Sequence, residues 1–169
     1  MLIKSILGKK PLWGKDCYFA DNSAVIGDVV IGNCCSIWFN TVVRGDVNKI
    51  RIGNNVNIQD GSIIHSTYQK SSTLIGNYVS IGHNAIIHGC TIDDFVLVGM
   101  GSIVMDLCKI SSNTIIAAGS VITENTFVEA NSIYGGVPAR KIKNISESKS
   151  REEIERIAKN YLIYSNWYK

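Results

Sequence analysis

The sequence predicts an all-β parallel solenoid closed by one C-terminal α-helix. Three observations predict it: aliphatic residues recur every six positions, Gly or Asn follows many of them, and the period changes near residue 146.

The six-residue series opens at Val25, Ile31, Ile37 and Val43, with Val29, Cys35, Thr41 and, less regularly, Val47 four places after each. It resumes at Ile52, Ile58 and Ile64 with Val56 and Ser62, and again at Ile75, Ile81 and Ile87 with Val79, Ala85 and Thr91. After a slip of one residue, Ile92 leads Val98, Val104, Ile110, Ile116, Ile122 and Val128. Ser102, Cys108, Thr114, Ser120 and Thr126 are the companions there. Six matches neither the 3.6 of a helix nor the 2 of a strand. A short strand plus a turn, three times per 18-residue coil, accounts for it. Each aliphatic side chain then points inward and stacks on its counterpart about 4.8 Å along the axis. Gly32, Gly53-Asn54 and Gly76-Asn77 stand where the backbone must turn. A β-sandwich would instead show turn signals every 8–12 residues.

Beyond residue 145 a helical period takes over. Ser150-Arg151-Glu152-Glu153 reads as a capping box. Ile154, Ile157, Ala158, Tyr161, Leu162 and Ser165 form one apolar stripe. The expected division is a β-helix domain over 1–145 and a helix packed on it over 146–169.

Composition narrows the function classes. With 169 residues, 46% apolar and 18% charged, the chain is neither disordered nor highly charged. No apolar run approaches the roughly 18 residues of a membrane span, and no cleavable signal pattern is evident, so the expected address is cytoplasmic. The net charge of +3 comes from the tail: residues 138–169 hold eight Lys/Arg against four Asp/Glu, whereas 1–137 hold nine against ten. A basic tail on a neutral body reads as a solvated helix face and is weak support for nucleic-acid binding, so neither a nucleic acid nor a membrane is expected as a partner. The five cysteines include no C-x-x-C pair and read as reduced core thiols.

The chemistry-bearing residues follow from the coil register. Val43 to Ile52 is six plus a three-residue insertion, and Ile64 to Ile75 is six plus five. The second insertion carries Tyr68, Gln69 and Lys70 out from a corner without changing strip order. Val25, Val43, Ile64 and Ile87 then share one face, and Ile58 and Ile81 another. Arg44, His65 and His88 each follow a stacking residue of the first face, so they occupy equivalent places on successive coils. His65 and His88 would lie about 5 Å apart, close enough to share a metal. Gln59 follows Ile58, while Asp60 and His83 stand two places after their stacking residues on the second face. His83 points from a different side and reaches that metal only from a second copy; a threefold ring closes such a contact. Arg44 and Asp60, one coil away, could pair across the same interface.

The repeat between Ala20 and Lys143, with the closing Gly135-Gly136-Val137-Pro138-Ala139-Arg140, resembles the left-handed β-helix superfamily of hexapeptide repeats. The left hand comes from that resemblance; general crossover rules favour the right. Val43-Arg44-Gly45-Asp46, Asn57-Ile58-Gln59-Asp60-Gly61, Ile64-His65, Ile81-Gly82-His83-Asn84 and Ile87-His88-Gly89 are similar to the γ-class carbonic anhydrases. That resemblance implies a lyase that hydrates carbon dioxide reversibly to bicarbonate through a metal-bound hydroxide at a homotrimer interface. It implies zinc, or iron or cobalt, held by His65 and His88 of one subunit and His83 of the next. It implies that Gln59 orients the water, that Arg44, Asp46 and Asp60 form the interface polar network with Asp46 counted at the catalytic site, and that Tyr161 approaches the site from the helix. The chain departs from the founding type twice. Val47 stands where a glutamate follows Asp46, and the loop after His65 is short and basic, without the proton-shuttling glutamate. Two other readings remain: an acyltransferase using an acyl-CoA, and a metal-binding or scaffold trimer without catalysis.

Overall fold

The computed structural model describes residues 1–168. It is a left-handed parallel β-solenoid of about seven turns with one C-terminal helix. Three faces are built from three ladders. Face one stacks Leu2–Lys4, the first halves of Ala24–Ile31 and Val42–Ile52, then Ile63–His65, Ile86–His88, Ile103–Val104 and Val121–Ile122. Face three stacks Leu12–Trp13, the second halves of the same two long strands, then Thr73–Ile75, Thr91–Ile92, Lys109–Ile110 and Phe127–Val128. Face two runs from Tyr18–Phe19 through Ser36–Ile37, Asn57–Ile58, Ser80–Ile81, Val96–Val98 and Thr114–Ile116 to Ser132–Gly136. Every pairing in these ladders is parallel until Ala139–Asn144 returns antiparallel along Ser132–Gly136 and ends face two.

The six-residue period is the cause of this shape. Val25, Val43, Ile64, Ile87, Val104 and Ile122 form one inward column, each 1% exposed or less. Ile37, Ile58, Ile81, Val98 and Ile116 form a second at 0%. Aliphatic side chains stacked at one-rung spacing fill most of the prism, and the buried hydroxyls of Thr41, Ser62 and Ser102 at companion positions donate to backbone carbonyls. None of the five cysteines is in a disulfide; Cys35, Cys90 and Cys108 are buried in that core.

Two companion positions differ from expectation. Ile50, not Val47, pairs with Val29 and faces inward, because the three extra residues are taken up before the second half of the long strand. Cys90, not Thr91, is buried after Ile87, because the missing residue shortens that corner and turns Thr91 outward between Leu74 and Lys109. The glycines at the face-three corner also act differently. The left-handed residues there are Cys34, Asn55 and Tyr78. Gly53 is needed because a Cβ would come 2.6 Å from the Gly76 carbonyl oxygen of the next coil.

The helix α1 spans Glu147–Asn166 and lies against Ser36–Ile37 and Ser80–Ile81 of face two. Ile154, Ala158 and Ser165 are buried beneath it, and Ile157, Tyr161 and Leu162 are half-buried, as the stripe requires. The capping box is a correction. The helix begins four residues earlier, with extended Ser146 as its N-cap and no side-chain cap bond. Ser150 is already inside the first turns, where its hydroxyl donates to the Glu147 carbonyl. Docking on face two, including Arg151 stacked 4.1 Å over the Phe95 ring, sets the start instead of the local pattern.

Candidate functional site

Face one assembles the first group of polar side chains. Because Val43, Ile64 and Ile87 point inward, Arg44, His65 and His88 point outward in one column. The two imidazole centroids are 5.2 Å apart, and His65 Nδ1 lies 3.1 Å from His88 Nε2. The outer nitrogens both meet carboxylates. His65 Nε2 is 3.1 Å from Asp46 Oδ1, and His88 Nδ1 is 3.1 Å from Asp106 Oδ2. Arg44 Nη1 lies 2.5 Å from Asp46 Oδ2.

Electrostatics sets the proton positions. Burial pushes the Asp46 carboxyl up, but hydrogen bonds from Arg44 and His65 outweigh it and hold it below the usual carboxylate range. Burial likewise raises Asp106, and Ser71, Thr67 and His88 together bring it below that range. Ionised carboxylates only accept hydrogen bonds. The Nε2–H of His65 and the Nδ1–H of His88 therefore donate outward. That leaves two bare nitrogens facing each other at 3.1 Å. Lone pairs at this distance repel unless a cation stands between them. Ligand bonds of about 2.0–2.1 Å in a tetrahedral site separate neighbouring nitrogens by about 3.3 Å, so the pair fits a divalent metal. Burial, chiefly, holds His65 below the usual imidazole pKa, with Arg44 and His88 adding to it against Asp46. Neutral imidazole is the ligating form.

The second group stands at the corner between faces two and one. His83 Nδ1 is 2.8 Å from Asp60 Oδ2, and its Nε2 is 3.3 Å from the Tyr161 hydroxyl on α1. With Nδ1–H directed at the carboxylate, Nε2 is again the bare nitrogen. Tyr161 packs edge-on against buried Trp38, centroids 5.3 Å apart. Burial first, then Asp60, pushes its phenol up to about 12, so it stays a proton donor at neutral pH. Gln59 is 5% exposed beneath α1; its Nε2 donates to Asn57 Oδ1 at 2.9 Å, and Asn57 Nδ2 donates to Ser80 Oγ at 2.7 Å. With the amide nitrogen committed, Oε1 is the acceptor end that Gln59 can offer. Trp38, Phe39, Tyr161 and Tyr164 help wall a cavity of about 220 Å³ that reaches His83 and Asp60.

Arg44, Asp46, His65 and His88 are thus together on face one, and Asp60, His83 and Tyr161 are together at the corner. The two groups do not merge within one chain: among the described residues, no set of three or more His, Cys, Asp or Glu side chains could hold a metal. Arg44 and Asp60 each have another partner here, Asp46 and His83. Sequence reasoning missed Asp106, Asn57 and the hydroxyls of Thr67 and Ser71. The only sequence sign of Asp106 was a carboxylate in a corner one coil after His88.

Known proteins supply the decision between families. The chain is 40% identical over 162 residues to the carbonic anhydrase of Geobacillus kaustophilus, covering 96% of this chain and 88% of that one. It is also 40% identical over 168 residues to mitochondrial γ carbonic anhydrase 2 of Arabidopsis thaliana. The chain belongs to the γ-class carbonic anhydrase family. It spans 59% of the length of the plant γ carbonic anhydrase, and 95% of the chain is matched. Among solved structures, a hexapeptide transferase family protein from Anaplasma phagocytophilum superposes with a TM-score of 0.93 at 37% identity, over 99% of this chain and 98% of that one. No protein-family profile matches the chain. Within the γ class, the histidines of this chain keep one pattern: each has a carboxylate on one ring nitrogen and presents the other.

Proposed function

We propose that this γ-class chain interconverts carbon dioxide and bicarbonate at a metal centre shared between neighbouring subunits of a homotrimer. The carrying observation is the carboxylate behind each of His65, His83 and His88, which fixes three bare imidazole nitrogens on two sides of one chain. Two come from face one, and the third must come from a neighbour. Face one supports that assembly. Outward from its core column run Val42, Ile63, Ile86, Ile103 and Val121, an aliphatic strip beside the histidines, with Ile86 37% exposed. A strip of this kind bordering an incomplete site is what a closed ring of identical chains buries. Arg44 and Asp60 stand at the same two places and extend the contact by one coil.

The roles follow from the atoms. His65 Nδ1 and His88 Nε2, with His83 of a neighbouring copy, would hold zinc, or iron or cobalt. Such a metal supplies Lewis acidity that brings the pKa of water toward about 7. Gln59, its nitrogen tied to Asn57, presents Oε1, which would accept a hydrogen bond from a water at the site and so orient it. Tyr161 keeps its proton and offers it to a developing oxygen charge beside His83 Nε2. Asp46 holds His65 by Nε2–H and is itself held by Arg44. Proton export has no shuttle glutamate at the matching positions: Val47 is half-buried where a glutamate could stand, and Lys70 in the loop pairs with Glu124. Added buffer should therefore accelerate turnover.

No helix among the described residues is long and apolar enough to cross a membrane. Cysteines outside any disulfide suit a reducing cytoplasm, where we place the chain. An acyltransferase needs one histidine base beside its acceptor; three carboxylate-backed histidines serve no step of acyl transfer. The test is metal analysis of protein purified without oxygen, paired with a hydration assay over a range of buffer concentrations. We expect one divalent metal per chain and buffer-dependent activity. Less than about a tenth of an equivalent after zinc supplementation overturns the metal reading. A full metal complement with no hydration at any buffer concentration leaves the non-catalytic trimer.

A further inference from the structure

We propose that Asp106 is the positioning residue of His88, and that the loop after His65 exists in this chain to hold Asp106 in that role. The inference rests on the metal reading above and names what keeps one of its ligands ready.

Asp106 collects three donors from two stretches of chain, the loop after His65 and the strand that carries His88. Its Oδ2 is 3.1 Å from His88 Nδ1 and accepts the Thr67 hydroxyl at 3.1 Å, while its Oδ1 accepts the Ser71 hydroxyl. The loop is tied back to the histidine strands as well. The Thr67 N–H donates to Ser71 Oγ at 3.2 Å, the Gly89 N–H donates to Thr73 Oγ1 at 3.0 Å, and the Thr73 hydroxyl donates to the His65 carbonyl at 2.6 Å. The carboxylate is 15% exposed.

Room for this convergence comes from Gly89, next to His88 in the chain. Its φ is +55°, and a Cβ there would lie 2.0 Å from both Asp106 Oδ1 and Ser71 Oγ. Two irregularities of the repeat therefore meet at one carboxylate. The five extra residues after Ile64 supply Thr67 and Ser71, and the residue missing between Ile87 and Ile92 draws the corner in. A loop that only bulged from a corner would need no such closure.

The chemical consequence is a choice of tautomer. Neutral His88 with its proton on Nε2 has its lone pair on Nδ1, toward Asp106, and none on the nitrogen that faces His65. With Asp106 accepting at Nδ1, the proton stays there and Nε2 remains bare toward His65. Partners behind metal-bound histidines typically contribute about 10–100-fold in affinity.

The experiment replaces Asp106 with Leu, similar in size and unable to accept, and with Asn, which keeps one acceptor. Two readouts are taken on the full-length protein. Nitrogen-15 NMR of metal-free protein at about pH 8, where imidazole is neutral, reports the His88 tautomer. Competition between the protein and a chromophoric chelator reports zinc affinity. In the wild type we expect a single His88 tautomer with the proton on Nδ1. In Asp106→Leu we expect mixed tautomers and zinc affinity lower by about 10–100-fold. Asp106→Asn should keep the tautomer and lose about 3–10-fold, so it decides the matter if the Leu variant does not fold. Ser71→Ala, which loosens the loop but spares the Asp106–His88 bond, should lose less than either. A wild-type tautomer retained in Asp106→Leu, or zinc affinity unchanged within about twofold in both variants, overturns the proposal. If the wild type binds no zinc at all, the metal reading fails, while loss of the single tautomer in Asp106→Leu still supports the positioning of His88.

Discussion

Consider His65→Ala and His83→Ala chains, each purified, then unfolded together in equal amounts and refolded. If each site takes His65 and His88 from one chain and His83 from its neighbour, neither homotrimer has an intact site. His65 and His88 lie side by side on face one, whereas His83 is held at the corner by Asp60 and Tyr161. A site survives only where an undamaged face one meets an undamaged corner. Random assembly makes about three trimers in four mixed, and each mixed ring contains one such junction among three. The refolded pool should therefore recover about one quarter of the wild-type zinc, and a similar share of any hydration rate. Chelator competition measures the zinc, and native mass spectrometry shows the mixing. Trimers proven mixed yet free of zinc would refute the shared site and most of the functional reasoning.

Three further outcomes are expected. Arg44→Ala should weaken trimer assembly more than zinc affinity in the trimers that remain, seen as earlier dissociation on dilution in sedimentation velocity; identical sedimentation would remove the interface role. Asp28→Asn should cost about 1 kcal/mol at neutral pH, since Lys9 first, then Arg51, hold the Asp28 carboxyl below the usual range against the upward push of burial. A depressed folded pKa contributes stability above the unfolded value near 3.9 and loses it as pH falls through the folded one, so wild-type and variant denaturation curves should converge in acid. Gly53→Ala should destabilise by about 3 kcal/mol, because the added Cβ would meet backbone at 2.6 Å that cannot move aside; a melting temperature equal to wild type would contradict the stacking there.

The stacking columns were legible because an inward aliphatic on every strip leaves a period that no other element shares. The spacing of Val43, Ile64 and Ile87 by itself puts Arg44, His65 and His88 in one column. Corners were harder. An interval of nine between Val43 and Ile52 counts the extra residues without saying which side of the corner absorbs them, and Val47 was placed where Ile50 lies. The helix start misled for another reason: Ser150-Arg151-Glu152-Glu153 satisfies a local rule, yet docking on face two carries the helix back to Glu147. Asp106 was invisible because its donors, Thr67, Ser71 and His88, are 39, 35 and 18 residues away and share no motif with it. Asp46 and Asp60 were readable as interface groups, but their pairing with His65 and His83, like Asp106 itself, emerged only from folding.

The return strand Ala139–Asn144 has a consequence for the chain as a material. A parallel solenoid is a template that could copy itself: its last rung offers the same unpaired amides and carbonyls that its own next rung would have used. Two solenoids meeting end to end could continue one ladder and grow into a fibre. Here the last rung of face two is already paired, and in the opposite direction, by a strand carrying Arg140, Lys141 and Lys143. The last strands of faces one and three, Val121–Ile122 and Phe127–Val128, are two residues each and give an incoming chain little to grip. Reversing one short strand and charging it makes the solenoid a finite object rather than the seed of a polymer.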